Sequence, residues 1–424
     1  MQASERTGPL VGYRVLELGN LIAAPYAGRL FAEFGAEVIK VERPRTGDEL
    51  REWRLHRGKT SMMWYTQSRN KKSITLDMRN SEGQQLALEL VRHVDVVLEN
   101  FRPGTLEKWN LGYDQMQQVN PDIILVRISG YGQTGPYRNR PGFASVAEAL
   151  GGIRNLTGYP DRPPTRVGIS LGDSVAGMFG AIGGLMALLR RERAWRERER
   201  SAAEGAESAA GRGALGQVVD VALYESIFAL MESLVPEYDA YNVIRERTGN
   251  LLPGIAPTNA YPCLDEKWVV IGGNADGIFK RLMQAIGRQD LAEDPQFQHN
   301  PGRWEQHEFL DRVIGDWTSR RTIEEVVATL DKAGVPVGPI YDAADIVNDQ
   351  HFRARDMIET HAVVVEPGEP KQVRFPGIIP KLSETPGSTG WLGPELGAHN
   401  EEIYRGLLGL ATERVEQLKQ AGVI

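Results

Sequence analysis

Residues 13–42, YRVLELGNLIAAPYAGRLFAEFGAEVIKVE, hold two apolar, β-branched runs on either side of one helical pattern. "YRVLEL" (13–18) and "EVIKVE" (37–42) read as strands, and "AGRLFAEF" (27–34) as the helix that joins them, so the segment is a βαβ unit. The same rhythm continues outward through "SITLDM" (73–78), "EGQQLALELVRHV" (82–94), "DVVLEN" (95–100) and "DIILVRISG" (122–130). Runs such as "DVVL" and "IILV" are apolar on both faces, as in parallel strands covered by helices above and below. The expected fold is α/β, a doubly wound parallel sheet.

The chain has 424 residues, enough for two compact units or one large α/β body. Forty-nine Lys plus Arg against 56 Asp plus Glu leave a net charge of -7, which argues against a nucleic-acid binder. The single cysteine, Cys263, excludes an intramolecular disulfide framework. The seven histidines stand in polar or helical contexts, with no zinc-site spacing, so no metal is expected. The N-terminal residues lack a secretory pattern, and no run approaches the ~18 apolar residues of a membrane span. A soluble, cytoplasmic protein with no membrane partner is expected.

Farther along, "RRERAWRERERSAAEGAESAAGRGALG" (190–216) turns charged and then small, and reads as a helix end running into a mobile surface loop at about 191–215. "QVVDVAL" (217–223) follows as a strand and "YESIFALMESLVPEYDAYN" (224–242) as a helix, so 216–244 reads as a linker strand and helix. A second unit over 245–335 starts with the turn-rich "NLLPGIAPTNAYP" and continues through the strand "KWVVIGG" and several helices. Strand-like "AVVVEP" and "QVRFPG" return after residue 360, before a closing helix.

A dinucleotide site needs G-x-G-x-x-G, but Gly19 is followed by Asn20, Leu21, Ile22, Ala23 and Ala24, so NAD is not expected. Arg43, Arg79, Asn100, Phe101, Arg102 and Lys108 all fall just after strands, where ligands of open α/β sheets sit. Taken singly they are solvated side chains; taken together they suit a multiply phosphorylated ligand. "VGISLGDSVAGMFGAIGGLMALL" (167–189) holds one carboxylate, Asp173, among small and apolar residues. Two readings stand: an N-cap favoured by the helix dipole, and a nucleophile toward an activated acyl group in a pocket that excludes water.

"GYRVLELGNLIAAPYAGRLFAEFGAEVIKVERP", "NKKSITLDM", "VLENFRPGTLEKWNLGY", "ISGYGQTGPY", "ISLGDSVAGMFGAIGGLMALL" and "LKQAGVI" together resemble the class III CoA-transferases, a family that includes formyl-CoA transferase and the carnitine CoA-transferase, with α-methylacyl-CoA racemases as relatives. The resemblance implies that Asp173 is the nucleophile, and that Asn20, Leu21, Ile22, Ala23, Arg43, Leu76, Arg79, Asn100, Phe101 and Lys108 fall at the CoA site; Arg102, from the crevice after the strands, is expected there with them. It implies coenzyme A as co-substrate, carried as an acyl-CoA, with a carboxylic acid as the other partner. It further implies an interlocked homodimer with a Rossmann-like large domain: residues 1–215 as its first part, 245–335 as a smaller α+β domain, and 336–424 returning to complete the large one. The implied reaction runs through an aspartyl anhydride and an aspartyl-CoA thioester, with Gly254 and Ile255 as oxyanion candidates and Arg140 and Phe143 as substrate contacts. Arg140 and Arg166 are cations suited to the far carboxylate of a short dicarboxylate. Formyl-CoA transferase has a run of glycines where "LLPGIAPTNAYP" stands here with Gly254 alone, which points away from oxalate. The racemases carry a histidine in the segment matching "RPGFASVAEALGG", where this chain has Phe143 and Ala144. Racemisation of a 2-methylacyl-CoA and a non-catalytic CoA-binding role stand as the alternatives.

Overall fold

The computed structural model describes residues 8–57, 60–203, 213–365 and 369–424. The chain divides into two compact units, one drawn from Met1–Arg154, Arg166–Ala240 and Asp356–Ile424, the other from Asn155–Thr165 and Tyr241–Arg355.

Six strands build the sheet of the first unit: β1 (Arg14–Glu17), β2 (Glu37–Glu42), β3 (Lys71–Thr75), β4 (Val96–Glu99), β5 (Ile124–Ser129) and β6 (Gln217–Ala222). Their order is β3-β2-β1-β4-β5-β6 and every neighbouring pair is parallel. Four helices matter to its faces and to the site, α1 (Ala23–Glu33), α2 (Ser81–Val91), α3 (Ala144–Leu150) and α4 (Leu171–Ala203). Because side chains alternate along a strand, Leu16, Ile39, Ile74, Val97 and Leu125 face one layer and Val15, Val38, Val96, Leu98 and Val126 the other. The first layer is closed by Leu86 and Leu90 of α2 and by Tyr404, Val415 and Leu418 of the returning segment. The second is closed by Ala27 and Phe31 of α1 and Ala181 and Ala187 of α4.

Close approach explains the small residues of α4. A Cβ on Gly177 would lie 2.7 Å from the Ala23 carbonyl oxygen, and one on Gly180 would lie 2.9 Å from Ile128 Cδ1. The helix therefore rests directly on the start of α1 and on β5. Contrary to the expectation of no such run, an 18-residue window of α4 is apolar enough for a membrane span, yet half of it is buried within the protein. Its glycine face makes it a covering helix of the sheet.

Three expectations about organisation change. Residues 191–203 are helix rather than loop, anchored where buried Arg191 meets Asp95 at 2.7 Å and Trp195 donates to Asp122 at 3.0 Å; the part of the expected loop at 204–212 lies outside the described residues. The segment 216–244 is no linker at its start, because Gln217–Ala222 is the sixth sheet strand, and its helix is broken into Leu223–Phe228 and Leu234–Tyr241. The second unit runs on to Arg355 rather than ending at 335, since Val337–Pro339 pairs with Trp268–Gly272. That unit is α+β: Thr258–Pro262, Trp268–Gly272 and Val337–Pro339 form an antiparallel sheet, and helices Asp276–Ala285, His307–Thr318 and Ile323–Lys332 pack on it through Phe279, Leu310, Val326 and Leu330.

Candidate active site

Strand order reverses between β1 and β4, and the loops that leave their C-terminal ends diverge to leave a crevice. A cavity of about 670 Å³ lies there, entirely within the first unit. Asn20, Leu21, Ile22 and Ala23 line it from the β1 side, and Asn100, Phe101, Arg102 and Pro103 from the β4 side. Asn100 ties the two loops together, its Oδ1 accepting the Asn20 N–H and its Nδ2 donating to the Asn20 carbonyl, both at 2.8 Å. The Phe101 N–H donates to Glu99 at 2.7 Å. Burial pushes the Glu99 carboxyl up to about 7 despite the Arg127 guanidinium at 2.6 Å.

The β1 loop is held in an unfavourable shape. Leu21 has φ 64°, a conformation that costs a bulky residue roughly 1–3 kcal/mol and persists only where its surroundings enforce it. Asp48 enforces it by accepting the Leu21 N–H at 3.0 Å, and Lys40 by donating to the Gly19 carbonyl. Lys40 and Asp48 are themselves buried and 2.8 Å apart, with Glu17 3.4 Å from Lys40 and Lys71 2.8 Å from Glu17. Burial alone would raise the Asp48 carboxyl, but Lys40 and the N–H groups of Leu50 and Leu21 hold it below the usual carboxylate range. Burial pulls Lys71 down to about 8 even with Glu17 beside it. These paired charges form a rigid floor beneath the loop, because losing one partner strands the other in the interior.

Asp173 sits in the first turn of α4, half-buried in the cavity wall. It is not the cap that its position suggested: among the described residues its carboxylate accepts no hydrogen bond. Burial first, and the Glu148 carboxylate second, push it up to about 6, with Arg166 pulling the other way. Arg102, Arg138, Arg140 and Arg166 line the same cavity, and among the described residues none of them is in an ion pair. The Arg140 guanidinium lies 3.7 Å from the centre of the Tyr137 ring. Of the two carboxylates in the lining, Glu49 is already paired with Arg43. Four guanidinium groups outside any described ion pair and one carboxylate that accepts no described hydrogen bond can hold a polyanionic ligand against a nucleophile.

Asn20, Leu21, Ile22, Ala23, Asn100, Phe101, Arg102, Arg140, Phe143 and Asp173 thus meet at one cavity, as does Arg166. The other residues expected at the site do not line it. Leu76 is 1% exposed and packs into the core, Arg79 is bound to Asp77 at 2.9 Å on the surface, Lys108 is exposed, and Arg43 reaches the rim only through Glu49. Gly254 and Ile255 belong to the second unit, where Asn300 Nδ2 donates to the Gly254 carbonyl at 2.6 Å. Sequence reading missed Asp48, Arg138 and Glu148. Arg138 had a signal, since it stands two residues before Arg140 in the same loop; Asp48 looked like a turn residue and Glu148 like one polar position of a helix.

The family model described as CoA-transferase family III matches residues 10–400. The succinyl-CoA–D-citramalate CoA-transferase of Chloroflexus aurantiacus is 48% identical over 425 residues, covering 100% of both chains. The β subunit of that organism's succinyl-CoA–L-malate CoA-transferase is 40% identical over 429 residues, again covering 100% of both. Among solved structures, a CaiB/BaiF family protein of Brucella suis superposes with a TM-score of 0.78 at 31% identity, covering 95% of this chain and 100% of its own. The match spans the sheet, the crevice and the returning segment alike, and the chain belongs to the class III CoA-transferase family.

Proposed function

We propose that this enzyme moves CoA from succinyl-CoA to a short dicarboxylate, with Asp173 as the covalent nucleophile. The observation that carries the reading is the Asp173 carboxylate, half-buried and facing a cavity with four arginines, where among the described residues it accepts no hydrogen bond and they make no ion pair. Asp173 attacks the thioester carbonyl and expels CoA thiolate, leaving an acyl-aspartyl anhydride. The thiolate returns to the aspartyl carbonyl, releases the donor acid and leaves an aspartyl-CoA thioester. The acceptor carboxylate then attacks that thioester, expels thiolate again and forms a second anhydride. Thiolate attack on the acceptor's acyl carbonyl frees Asp173 and yields the new acyl-CoA. Arg140 and Arg166 suit the acceptor's distal carboxylate. Of the two expected oxyanion donors, the Ile255 N–H is already donated to the Leu252 carbonyl at 3.0 Å and is not free to hold an oxyanion. The two Chloroflexus aurantiacus relatives, named for succinyl-CoA with D-citramalate and L-malate, support a dicarboxylate acceptor.

The family resemblance also supports an interlocked homodimer, and the exposed face of α4 fits burial against a second copy. Met178, Phe179, Ile182, Leu185, Met186 and Leu189 on α4 are 38–66% exposed, an apolar stripe that a single chain leaves in water. Light scattering at a dimer mass checks this.

The deciding experiment incubates the enzyme with succinyl-CoA and searches the Asp173 peptide by mass spectrometry for succinyl and CoA adducts, alongside exchange assays with D-citramalate, L-malate and monocarboxylates. Adducts at Asp173 with transfer to dicarboxylates are expected. No adduct and no exchange would leave only a CoA-binding role, and α-proton exchange in deuterated water without transfer would support the racemase.

A further inference from the structure

The N-terminal turn of α4 leaves N–H groups with no partner inside the helix, and a carboxylate is the natural acceptor for them. The carboxylate that answers is Glu148, on α3. Its Oε1 accepts the Gly172 N–H at 3.2 Å, immediately before Asp173, and its side chain is 1% exposed. The fit is close: a Cβ on Gly172 would lie 3.4 Å from Glu148 Cγ and 3.3 Å from Ala144 Cβ. Glu148 Oε2 has no hydrogen bond, and its nearest described cation is Arg154, whose Nε is 3.5 Å away. A second carboxylate is thus buried beside Asp173, doing the capping work and leaving Asp173 undonated.

We propose that Glu148 is a positioning residue of the transferase: it caps the helix that carries the nucleophile, leaves both Asp173 oxygens free to attack, and sets a like charge behind them that acylation relieves. The proposal rests on Asp173 being the nucleophile. Attack converts the aspartate anion into a neutral anhydride while the negative charge departs on CoA thiolate. Repulsion between the two carboxylates is present before attack and absent after it, so it favours the forward step without any contact between Glu148 and substrate. The elevated titration of Asp173 agrees, with burial and Glu148 its two upward causes.

The charges that meet Asp173 are Glu148 from α3 and Arg166 from the segment preceding α4, with Arg102, Arg138, Arg140 and the Arg43-paired Glu49 in the same cavity lining. Other elements packed on α4 carry Tyr26, Arg29 and Glu33 of α1, Arg127 of β5, Asp220 of β6, and Tyr224 and Glu225 of Leu223–Phe228; none of these lines the cavity.

Glu148→Gln separates charge from shape, since the amide oxygen still accepts the Gly172 N–H. The assay is kcat/KM for succinyl-CoA against pH, with the Asp173 adduct measured in parallel on wild type and variant. Both proteins are expected to form the adduct, while the acid limb of the variant moves to lower pH, toward the ordinary aspartate value of about 4, and its plateau falls a few-fold. Arg154→Gln, which unscreens Glu148, is expected to move the limb to higher pH, and it decides the matter if Glu148→Gln does not fold. An adduct in every protein with unmoved limbs overturns the proposal and leaves Asp173 as nucleophile. No adduct even in wild type overturns it together with the nucleophile reading.

Discussion

Replacing Asp173 by Asn should inactivate the enzyme and stabilise it. Ionising Asp173 in the folded protein is costly, because burial and the Glu148 carboxylate raise it from 3.8 to about 6. Between those two values the folded chain binds a proton that the unfolded chain has already lost, so stability falls as pH rises through that window. Above it the full cost remains. At about 1.36 kcal/mol per pKa unit the ceiling is about 3 kcal/mol, and partial exposure of the carboxylate brings the expected gain to about 1–3 kcal/mol. Asparagine has nearly the same shape and no charge, so the variant escapes this cost. Thermal unfolding of wild type and Asp173→Asn measured in parallel from pH 4 to pH 8 reads the difference directly, without requiring a two-state fit to a chain of two units. The Tm values should coincide near pH 4 and separate by a few degrees above pH 6, with the variant higher. A variant less stable at pH 8, or a gap independent of pH, would refute the picture of an uncompensated carboxylate held in the wall.

Asp48→Ala removes the acceptor that holds Leu21 and strands Lys40 in the interior, so a loss of about 3–5 kcal/mol is expected by chemical denaturation, with the milder Asp48→Asn raising KM for acyl-CoA more than it lowers kcat. Arg140→Leu and Arg166→Leu should raise KM for a dicarboxylate acceptor roughly tenfold, the worth of one charge-assisted hydrogen bond, and leave a monocarboxylate acceptor unaffected in steady-state assays. Gly177→Val forces α4 away from the Ala23 carbonyl, costing about 1–3 kcal/mol in thermal unfolding and slowing the single-turnover acylation of Asp173. Burial alone would raise the Glu37 carboxyl, but Lys72 and Arg14 hold it at about 2, so its stabilisation is complete above pH 4.5 and is lost as pH falls toward 2. Glu37→Gln should therefore lower Tm at pH 7 and match wild type near pH 2.

The sheet and its crevice were readable because parallel strands buried on both faces are uniformly apolar, and "DVVL" and "IILV" have no other comfortable place to go. The loop after β1 was readable for a related reason: the small residues Ala23 and Ala24 let a helix start pack tightly beside the crevice, which Ala23 lines. What escaped was whatever depends on long-range pairing. Asp48 and Lys40 are separated by eight positions and look like solvated charges, and only the fold buries them against each other. The helix through 191–203 has no apolar stripe to betray it; Arg191 and Trp195 are secured instead by Asp95 and Asp122 from distant loops. Glu148 and Asp173 are 25 positions apart, and no spacing rule joins two residues that meet across a helix-to-helix contact. Leu76 misled for the opposite reason, as its neighbours approach the strand end while its own side chain turns into the core.

The returning segment has a consequence for how the protein is made. Ile403, Tyr404, Val415, Leu418 and Val423 fill one face of the sheet whose strands β1–β5 lie within residues 14–129, and the Asp77 N–H donates to the Val423 carbonyl at 2.8 Å. A nascent chain leaving the ribosome therefore carries that face uncovered while nearly three hundred further residues are translated. The second unit, almost continuous in sequence, can condense during this interval. Synthesis thus places the aggregation hazard in the long wait before residues 403–424 emerge, and chaperone occupancy of stalled chains of graded length should peak before that point and collapse after it.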